Sequence, residues 1–177
     1  PRHAELVIME LGLQGARGVT TPGIKLDGDE MYNSPQLPEE QASAYRRIAA
    51  RLGYLSEDRW DIKFQTKECL RHMSNPCEVH VKMLKRIGRY LIHRPRVGLT
   101  LPVQPFPKVA DAKGDSDHAG CVISRKSTSG GIVKVGRASL LSWSTTQATP
   151  SLSSGESEWH GITKTSAEGL GVQAGLQ

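Results

Sequence analysis

The spacing of apolar residues changes near Pro95, and this change constrains the fold more than any other feature of the sequence. Before Pro95, apolar residues recur every three or four positions, which is typical of helices that bury one face. After Pro95 the spacing shortens between glycine and proline residues, which is typical of strands joined by tight turns. The sequence therefore predicts an α+β protein in which a helical part precedes a sheet.

The helical part is expected to open with a short helix over residues 1–12, which Gly12 ends. Residues 13–37 then lose all periodicity and are rich in glycine and proline, so a linker is predicted there. A second helix is predicted from Pro38, because proline suits the first helical turn and two glutamates follow at the positive end of the helix dipole. Its predicted buried stripe is Tyr45, Ile48, Leu52 and Leu55.

Two more helices are predicted, one from about Trp60 to Met73 and one over residues 76–92. Asn75 and Glu78 are the expected N-cap and capping acid of the latter. One face of that helix is basic and comprises Lys82, Lys85, Arg86 and Arg89. These cations either follow a nucleic-acid backbone or form an ordinary solvated surface. The net charge of +5 and the pI of 9.3 suit a polyanionic partner.

The second part of the chain is expected to contain three strands joined by short connections. The predicted strands are Val109–Asp115, Gly131–Val135 and Ser139–Ser144. Gly136 and Arg137 are predicted to make a tight turn between the last two strands. An antiparallel hairpin is therefore expected within the sheet.

A helix is expected to follow from about Gly155, with Ser153 or Ser154 as its N-cap. It carries Trp159, Ile162, Ser166 and Leu170 at helical spacing. Trp159 and Trp143 are predicted to be core residues, because this helix and the third strand are expected to face each other.

Three polar blocks lie at the connections of the second part. They are Asp115-Ser-Asp-His-Ala-Gly120, Arg125-Lys-Ser-Thr-Ser-Gly130 and Ser153-Ser-Gly-Glu-Ser-Glu-Trp159. One carboxylate thus ends a strand and another enters the first turn of a helix, an arrangement that gathers distant acids around a divalent cation. Arg125 and Lys126 stand beside three hydroxyl groups, which suits either phosphate contact or a plain polar connection.

The order and spacing of these blocks resemble the ribonuclease H domain of copia-type retrotransposon Pol polyproteins. Upstream blocks are similar to the segment that joins polymerase to ribonuclease H in that family. Among them are Val19-Thr-Thr-Pro22, Leu52-Gly-Tyr-Leu55, Met73-Ser-Asn-Pro76 and Lys85-Arg-Ile-Gly-Arg-Tyr-Leu91. The resemblance implies three parts. These are the polymerase end and linker at 1–37, a helical thumb or connection-like segment at 38–100, and the N-terminal half of a ribonuclease H-like fold at 101–177.

The resemblance also implies an activity, since the parent protein would hydrolyse the RNA strand of RNA/DNA hybrids by two-metal catalysis with Mg²⁺. Matching block to block places the catalytic and metal-binding acids at Asp115 and Glu158. Nucleic-acid contacts are expected from the basic helix and from the 125–126 cations. Asp117 and Glu156 also match acids of the family, but Asp117 is suited to order a turn, and for Glu156 helix capping is favoured.

The sequence departs from the family pattern at Trp60, where proline is usual, and at His118, where tryptophan is common. The family's third catalytic aspartate is expected after Gln177 and the polymerase aspartates before Pro1, so the chain is expected to be inactive alone. The alternative is a non-catalytic nucleic-acid-binding or interaction module derived from such an element.

Cysteine and histidine spacing indicates neither a zinc site nor a disulfide framework. Reduced thiols and an intracellular location, cytoplasmic or nuclear, are therefore expected. His80, His118 and His160 are each expected at a surface or interface. The longest apolar run is far shorter than the roughly 20 residues that a membrane-spanning helix needs, so no membrane partner is expected.

Overall fold

The computed structural model describes residues 2–176. The chain divides into two compact units, Pro1–Gly98 and Leu99–Gln177, and the division falls shortly after the change of apolar spacing at Pro95. The first unit is helical and the second combines strands with one helix, so the predicted α+β class is confirmed. No helix in the described part of the chain is both long and apolar enough to cross a membrane.

The helical unit follows the predicted order of helices, except that the single helix predicted from about Trp60 to Met73 is a 3₁₀ turn followed by a helix that ends at Leu70. Its elements are α1 (Arg2–Glu10), α2 (Gly28–Tyr32), α3 (Glu39–Asp58), a 3₁₀ turn (Trp60–Ile62), α4 (Lys63–Leu70) and α5 (Glu78–His93). Gly12 follows α1 with a φ of +65°, a left-handed conformation that glycine adopts without steric cost. Tyr45, Ile48 and Leu52 of α3 are buried as predicted, and Leu55 packs partly buried against the same core.

Residues 13–37, predicted to be a linker, are irregular in backbone but packed against the helices. Within them only the five-residue α2 is helical. Val19, Leu26 and Leu37 lie partly buried on the core of the helical unit. The linker prediction missed this packing because single apolar residues without periodicity give no signal of burial.

The start of α5 differs from the prediction. The helix begins at Glu78, and the backbone N–H of Cys77 donates to Nδ1 of His80 at 2.9 Å, so a histidine takes the role predicted for Glu78. Residues 75–76 lie before the helix, because the N–H of Leu37 donates to the Pro76 carbonyl at 3.0 Å and holds this stretch outside the helix. His80, predicted at a surface or interface, is only 4% exposed.

A buried ionic group joins the end of α5 to the turn before α4. The guanidinium of Arg59 contacts both carboxylate oxygens of Asp61, at 2.9 and 2.8 Å, and donates to the carbonyl of Arg94 at 2.9 Å. The hydroxyl of Tyr90 donates to Asp61 at 2.8 Å. Burial alone would raise the pKa of Asp61, but the hydrogen bonds from Arg59 and Tyr90 hold that pKa below its usual value.

The second unit contains an antiparallel sheet of order β1-β2-β3 followed by a long helix. The elements are β1 (Ala110–Ser116), β2 (Thr128–Val135), β3 (Ala138–Thr146) and α6 (Ser154–Ala174). Each lies within a few residues of its predicted position. Gly136 makes the predicted turn with a φ of +60°, a left-handed conformation that favours glycine.

Small side chains pack α6 against the sheet. The buried residues of this helix are Ser157, Gly161 and Thr165. A Cβ on Gly114 of β1 would lie 1.8 Å from Oγ1 of Thr165, so strand and helix approach closely. Trp143 is buried as predicted, but Trp159 is 69% exposed. The prediction for Trp159 was wrong because this close approach admits only small residues and turns the apolar stripe of α6 outward.

Candidate functional site

The loop after β1 is ordered by Asp117. Its backbone N–H donates to the carbonyl of Thr128 at 3.1 Å, and its carboxylate accepts a hydrogen bond from the N–H of Thr128 at 2.5 Å. A Cβ on Gly120 would lie 2.0 Å from the same carboxylate, so the loop folds tightly around it. These contacts support the turn-ordering role for Asp117.

Asp115 is the second-last residue of β1, just before this loop, and it is exposed. Its carboxylate accepts a hydrogen bond from the N–H of the adjacent Ser116 at 2.9 Å. No ion pair to Asp115 is formed within residues 2–176. The carboxylate therefore retains acceptor capacity for a cation or a donor from outside this unit.

The two glutamates at the start of α6 differ in their surroundings. Ser153 is the N-cap, and its Oγ accepts a hydrogen bond from the N–H of Glu156 at 3.1 Å, as one of the two predicted caps. The carboxylate of Glu156 accepts in turn from the N–H of Leu152 at 2.7 Å. Glu158 is exposed, and its carboxylate has no hydrogen-bond or ion-pair partner in the described part of the chain. Glu156 thus stabilises the start of α6, whereas the carboxylate of Glu158 is available to bind a cation or another donor.

The end of β1 and the start of α6 meet directly. The hydroxyl oxygens of Ser116 and Ser157 are 3.5 Å apart, and a Cβ on Gly161 would lie 3.4 Å from the Cβ of Ser116. Each of these serines is a sequence neighbour of a predicted acid. The end of β1, which carries Asp115, and the start of α6, which carries Glu158, are therefore adjacent in space.

The two acids do not point toward each other across this contact. Ala112, Gly114 and Ser116 of β1 all face α6, so the alternation of side chains directs Asp115 to the opposite face of the sheet. Glu158 lies on α6, on the other face. This placement counts against pairing of the two carboxylates between helix and sheet.

Among residues 2–176 no group of three or more His, Cys, Asp or Glu side chains is arranged to hold a metal ion. Cys69, Cys77 and Cys121 form no disulfide, and Cys69 is buried. His118 and His160 are exposed, in agreement with their predicted surface positions.

A buried polar network holds the start of α6 on the sheet, and sequence reasoning missed it. Nε2 of Gln147 donates to Oγ of Ser129 at 3.0 Å and to the carbonyl of Ser157 at 2.9 Å. The hydroxyl of Ser151 donates to Oε1 of Gln147 at 2.9 Å. All four residues are buried, so the network fixes where α6 begins. A single glutamine in a serine-rich connection carries no periodic signal that could have revealed it.

The predicted cations of the 117–127 loop lie at the same end of the sheet as Asp115. Arg125 has a φ of 54°, a left-handed conformation that is uncommon outside glycine. Its N–H donates to the carbonyl of Cys121 at 2.9 Å, and the carbonyl of Lys126 accepts from Cys121 at 3.2 Å. The Arg125 side chain is exposed and that of Lys126 is half-buried.

The basic face of α5 makes several contacts within the helical unit. Nε and Nη2 of Arg86 donate to the carbonyl and hydroxyl oxygens of Thr21 at 3.0 and 2.7 Å, and Nε of Arg89 donates to the carbonyl of Arg17 at 2.8 Å. Lys82 pairs with Glu30. Lys85 is exposed and has no hydrogen-bond or ion-pair partner among the described residues. Three of the four predicted cations therefore hold residues 17–30 on the helix.

Comparison with known proteins places these observations in a family. No protein-family model matches the chain, and no solved structure matches it significantly. The retrovirus-related Pol polyprotein from transposon RE1 of Arabidopsis thaliana is 33% identical over 154 residues, which cover 86% of this chain and 10% of the polyprotein. The polyprotein from transposon RE2 of the same plant is 30% identical over the same number of residues, with the same coverage of both chains.

A third relative covers nearly the whole chain. The uncharacterized mitochondrial protein AtMg00810 of Arabidopsis thaliana is 30% identical over 168 residues, which cover 94% of this chain and 68% of that protein. The chain belongs to the family of copia-type Pol polyproteins. The resemblance identified from the sequence is thereby confirmed. This copia-type Pol segment spans about a tenth of the length of the two transposon polyproteins.

A relative with a different name shares part of the same sequence. Secreted RxLR effector protein 161 of Plasmopara viticola is 37% identical over 102 residues, which cover 55% of this chain and 68% of the effector. Sequence of this copia-type kind therefore also occurs in a protein that is named for another role.

Proposed function

We propose that residues 101–177 are the first part of a ribonuclease H domain in a longer Pol polyprotein, which hydrolyses the RNA strand of RNA/DNA hybrids. The observation that carries the proposal is the contact between the end of β1 and the start of α6, through the hydroxyl groups of Ser116 and Ser157. This contact brings together the chain segments that carry Asp115 and Glu158. The family relationship to the transposon polyproteins supports the same function.

The engagement of neighbouring acids supports this choice of residues. The carboxylate of Asp117 accepts a hydrogen bond from the backbone N–H of Thr128, and the carboxylate of Glu156 accepts one from the N–H of Leu152. Each carboxylate thereby orders a local turn. Asp115 and Glu158 are exposed and lack ion-pair partners in residues 2–176. Their carboxylates are therefore the ones available for chemistry.

The donor chemistry of Asp115 and Glu158 fits Mg²⁺, because hard divalent cations prefer oxygen ligands and tolerate few protein carboxylates. When bound, the metal supplies Lewis-acid activation of the phosphodiester and of water. Asp115 and Glu158 lie on opposite faces of β1 in this arrangement, so their carboxylates do not converge on one ion within this unit. We accordingly expect weak Mg²⁺ binding and no cleavage by the 177-residue chain alone, with further ligands supplied by the rest of the polyprotein.

Nucleic-acid binding is proposed for the exposed cations. Lys85 of α5 and Arg125 of the β1–β2 loop have exposed side chains with no intramolecular partner among the described residues, so both can contact phosphate without breaking an existing bond. Lys82, Arg86 and Arg89 must share their charge with residues 17–30. We therefore expect Lys85 to contribute more to binding than Arg89.

The proposed activity is tested in a longer Pol chain that contains this segment. Asp115→Asn and Glu158→Gln should each abolish Mg²⁺-dependent cleavage of the RNA strand while leaving the fold intact. Glu156→Gln is the matched control, and it should retain most of the activity because its carboxylate accepts only a helix-start hydrogen bond. Equal loss of cleavage in all three variants would refute the assignment.

A non-catalytic role is the second candidate, and the direction of Asp115, which points to the face of the sheet away from Glu158, favours it. In that case the longer chain should bind an RNA/DNA hybrid without cleaving it. Binding should then weaken with salt, and Lys85→Gln should reduce the log–log salt slope by about 0.9 if Lys85 contacts a phosphate.

A further inference from the structure

Gln147 follows β3 and lies where the second unit passes from its strands to α6. Nε2 of its side-chain amide has two acceptors, Oγ of Ser129 in β2 at 3.0 Å and the carbonyl of Ser157 in α6 at 2.9 Å. Its Oε1 accepts from the hydroxyl of Ser151 at 2.9 Å. All four residues are buried, so these bonds form away from water, where each is stronger than at the surface.

The carbonyl of Ser157 determines how this amide is oriented. A backbone carbonyl can only accept a hydrogen bond, so the nitrogen of the amide must face it and the oxygen must face the hydroxyl of Ser151. An ionised carboxylate of nearly the same size has no donor and would place an oxygen against the carbonyl oxygen. Glutamate at position 147 would therefore break the contact with α6 while almost preserving the volume of the side chain.

The carbonyl that Gln147 holds belongs to the peptide group that joins Ser157 to Glu158. A peptide group is planar, so a hydrogen bond at its oxygen also restricts the direction in which the chain enters Glu158. The hydroxyl of Ser157 donates to the carbonyl of Ser154 at 2.8 Å and lies 3.5 Å from the hydroxyl of Ser116 in β1. The backbone at Glu158 is thus held on the sheet, while its carboxylate stays exposed.

Gln147 also holds the loop after β1. Its backbone N–H donates to the carbonyl of Ser127 at 2.8 Å. Oγ of Ser127, which is fully buried, accepts in turn from the N–H of Ala119 at 3.0 Å. Ala119 has a φ of 51°, a left-handed conformation that is costly outside glycine and needs support from its surroundings. One residue therefore connects the start of α6 with the loop that follows Asp115.

Gln104 forms a similar arrangement at the opposite end of the sheet. Its Nε2 donates to the carbonyl of Val135 at 2.9 Å, and its Oε1 accepts from the N–H of Arg137 at 2.7 Å. Val135 pairs with Ala110, at the end of β1 farthest from Ser116. Gln104 is thus a second glutamine whose amide bonds to the backbone of this unit, far from the start of α6.

We propose that Gln147 is a positioning residue for Glu158 in Mg²⁺-dependent cleavage. It acts by holding the peptide group between Ser157 and Glu158, and not by its own contact with the metal or the substrate. This role rests on the ribonuclease H function proposed above. Removing a residue that orients a metal ligand typically lowers metal affinity or activity by about 10- to 100-fold.

The first measurement requires no activity. Amide hydrogen exchange of the whole chain compares Gln147→Glu with the matched control Gln104→Glu, which likewise places a carboxylate against a backbone carbonyl. Gln147→Glu should speed exchange at residues 156–160, relative to exchange in β2, by about tenfold or more. Gln104→Glu should leave this ratio unchanged. Equal ratios in Gln147→Glu and in the unchanged chain would overturn the proposal.

The second measurement uses the longer Pol chain that contains this segment. Gln147→Glu should lower kcat for cleavage of the RNA strand by about tenfold or more, with little change in KM for the hybrid. It should also weaken Mg²⁺ binding, measured by calorimetry without nucleic acid. In a Glu158→Gln background it should cause no further loss of Mg²⁺ affinity, because its effect passes through Glu158. Gln104→Glu should match the unchanged chain in all three quantities.

The outcomes separate this role from the function on which it rests. An unchanged longer chain that does not cleave refutes the ribonuclease H function, and the positioning role with it. If the unchanged chain cleaves and Gln147→Glu cleaves equally well at the same Mg²⁺ affinity, only the positioning role is refuted. Equal losses in Gln147→Glu and Gln104→Glu, or a further loss of Mg²⁺ affinity in the Glu158→Gln background, would show a general structural effect and would also overturn the proposal.

Discussion

Acidification should destabilise the helical unit through two stacked histidines, His72 and His80. Their ring centroids are 3.8 Å apart with an interplanar angle of 12°. His80 is 4% exposed, and burial lowers its pKa from 6.5 to about 4. Burial also lowers the pKa of His72. Both imidazoles are therefore neutral in the folded chain at neutral pH.

The direction of the effect follows from proton linkage. An unfolded histidine titrates near 6.5, whereas folded His80 titrates near 4, so the unfolded chain binds more protons between these values. Stability is fully present above pH 6.5 and falls as the pH drops toward 4. At about pH 5 the shift of His80 alone costs about 1 to 2 kcal/mol of unfolding free energy. His72 acts in the same direction.

Protonation of His80 also removes a helix cap. The N–H of Cys77 donates to Nδ1 of His80, and a protonated Nδ1 cannot accept this bond. The new positive charge would lie in the first turn of α5, where the helix dipole disfavours a cation. The start of α5 should therefore be the first part of the helical unit to open in acid.

Urea unfolding by far-UV circular dichroism at about pH 7.5 and about pH 5 measures the loss of stability, and amide hydrogen exchange along α5 assigns it to the helical unit. His80→Asn keeps a side-chain acceptor for Cys77 but does not titrate, so its stability should depend less on pH. His160→Asn, at an exposed position on α6, should behave like the unchanged chain. An equal pH dependence in the unchanged chain and in His80→Asn would refute this reasoning.

Three further substitutions test contacts of the fold by equilibrium unfolding. Arg59→Ala should lower the free energy of unfolding by about 2 to 4 kcal/mol, because it leaves Asp61 and the carbonyl of Arg94 without their buried donor. A loss smaller than that of an exposed ion pair would contradict the role given to Arg59. Gln147→Ala should cost about 1 to 3 kcal/mol and loosen the first turn of α6, measured by amide exchange. Gly136→Ala should cost about 1 kcal/mol or more through its positive φ, and unchanged stability would show that the turn can rearrange.

The sequence predicts those parts of the fold in which local periodicity and local capping agree. The buried stripe of α3, the turn at Gly136 and the N-cap at Ser153 all depend on residues within a few positions, and the structure has each as predicted. The start of α5 was misplaced because a distant segment, residues 35–37, bonds to the residues before it. Such a pairing is invisible to any local pattern.

The candidate site was predictable in its parts and not in its geometry. A strand end and a helix start do meet, at Ser116 and Ser157, as the motif spacing suggested. The directions of Asp115 and Glu158 depend on which face of β1 receives α6. Glycines and small polar residues determine which face of β1 receives α6. Because such residues have low hydropathy, a sequence pattern assigns them to a loop or to the surface. The same cause misdirected the prediction for Trp159.

Small residues form the contact between α6 and β1, so this part of the core should respond to mutation in the opposite way to most protein cores. In most cores, shortening a side chain is costly because it leaves a cavity. Here Gly114, Gly161 and Thr165 contribute little volume, and a Cβ at Gly114 would already collide with Thr165. Random substitution at this contact is therefore tolerated when it removes atoms and rejected when it adds them. As a copy of this sequence accumulates mutations, larger side chains at this contact should unfold the sheet unit long before the loss of apolar residues does.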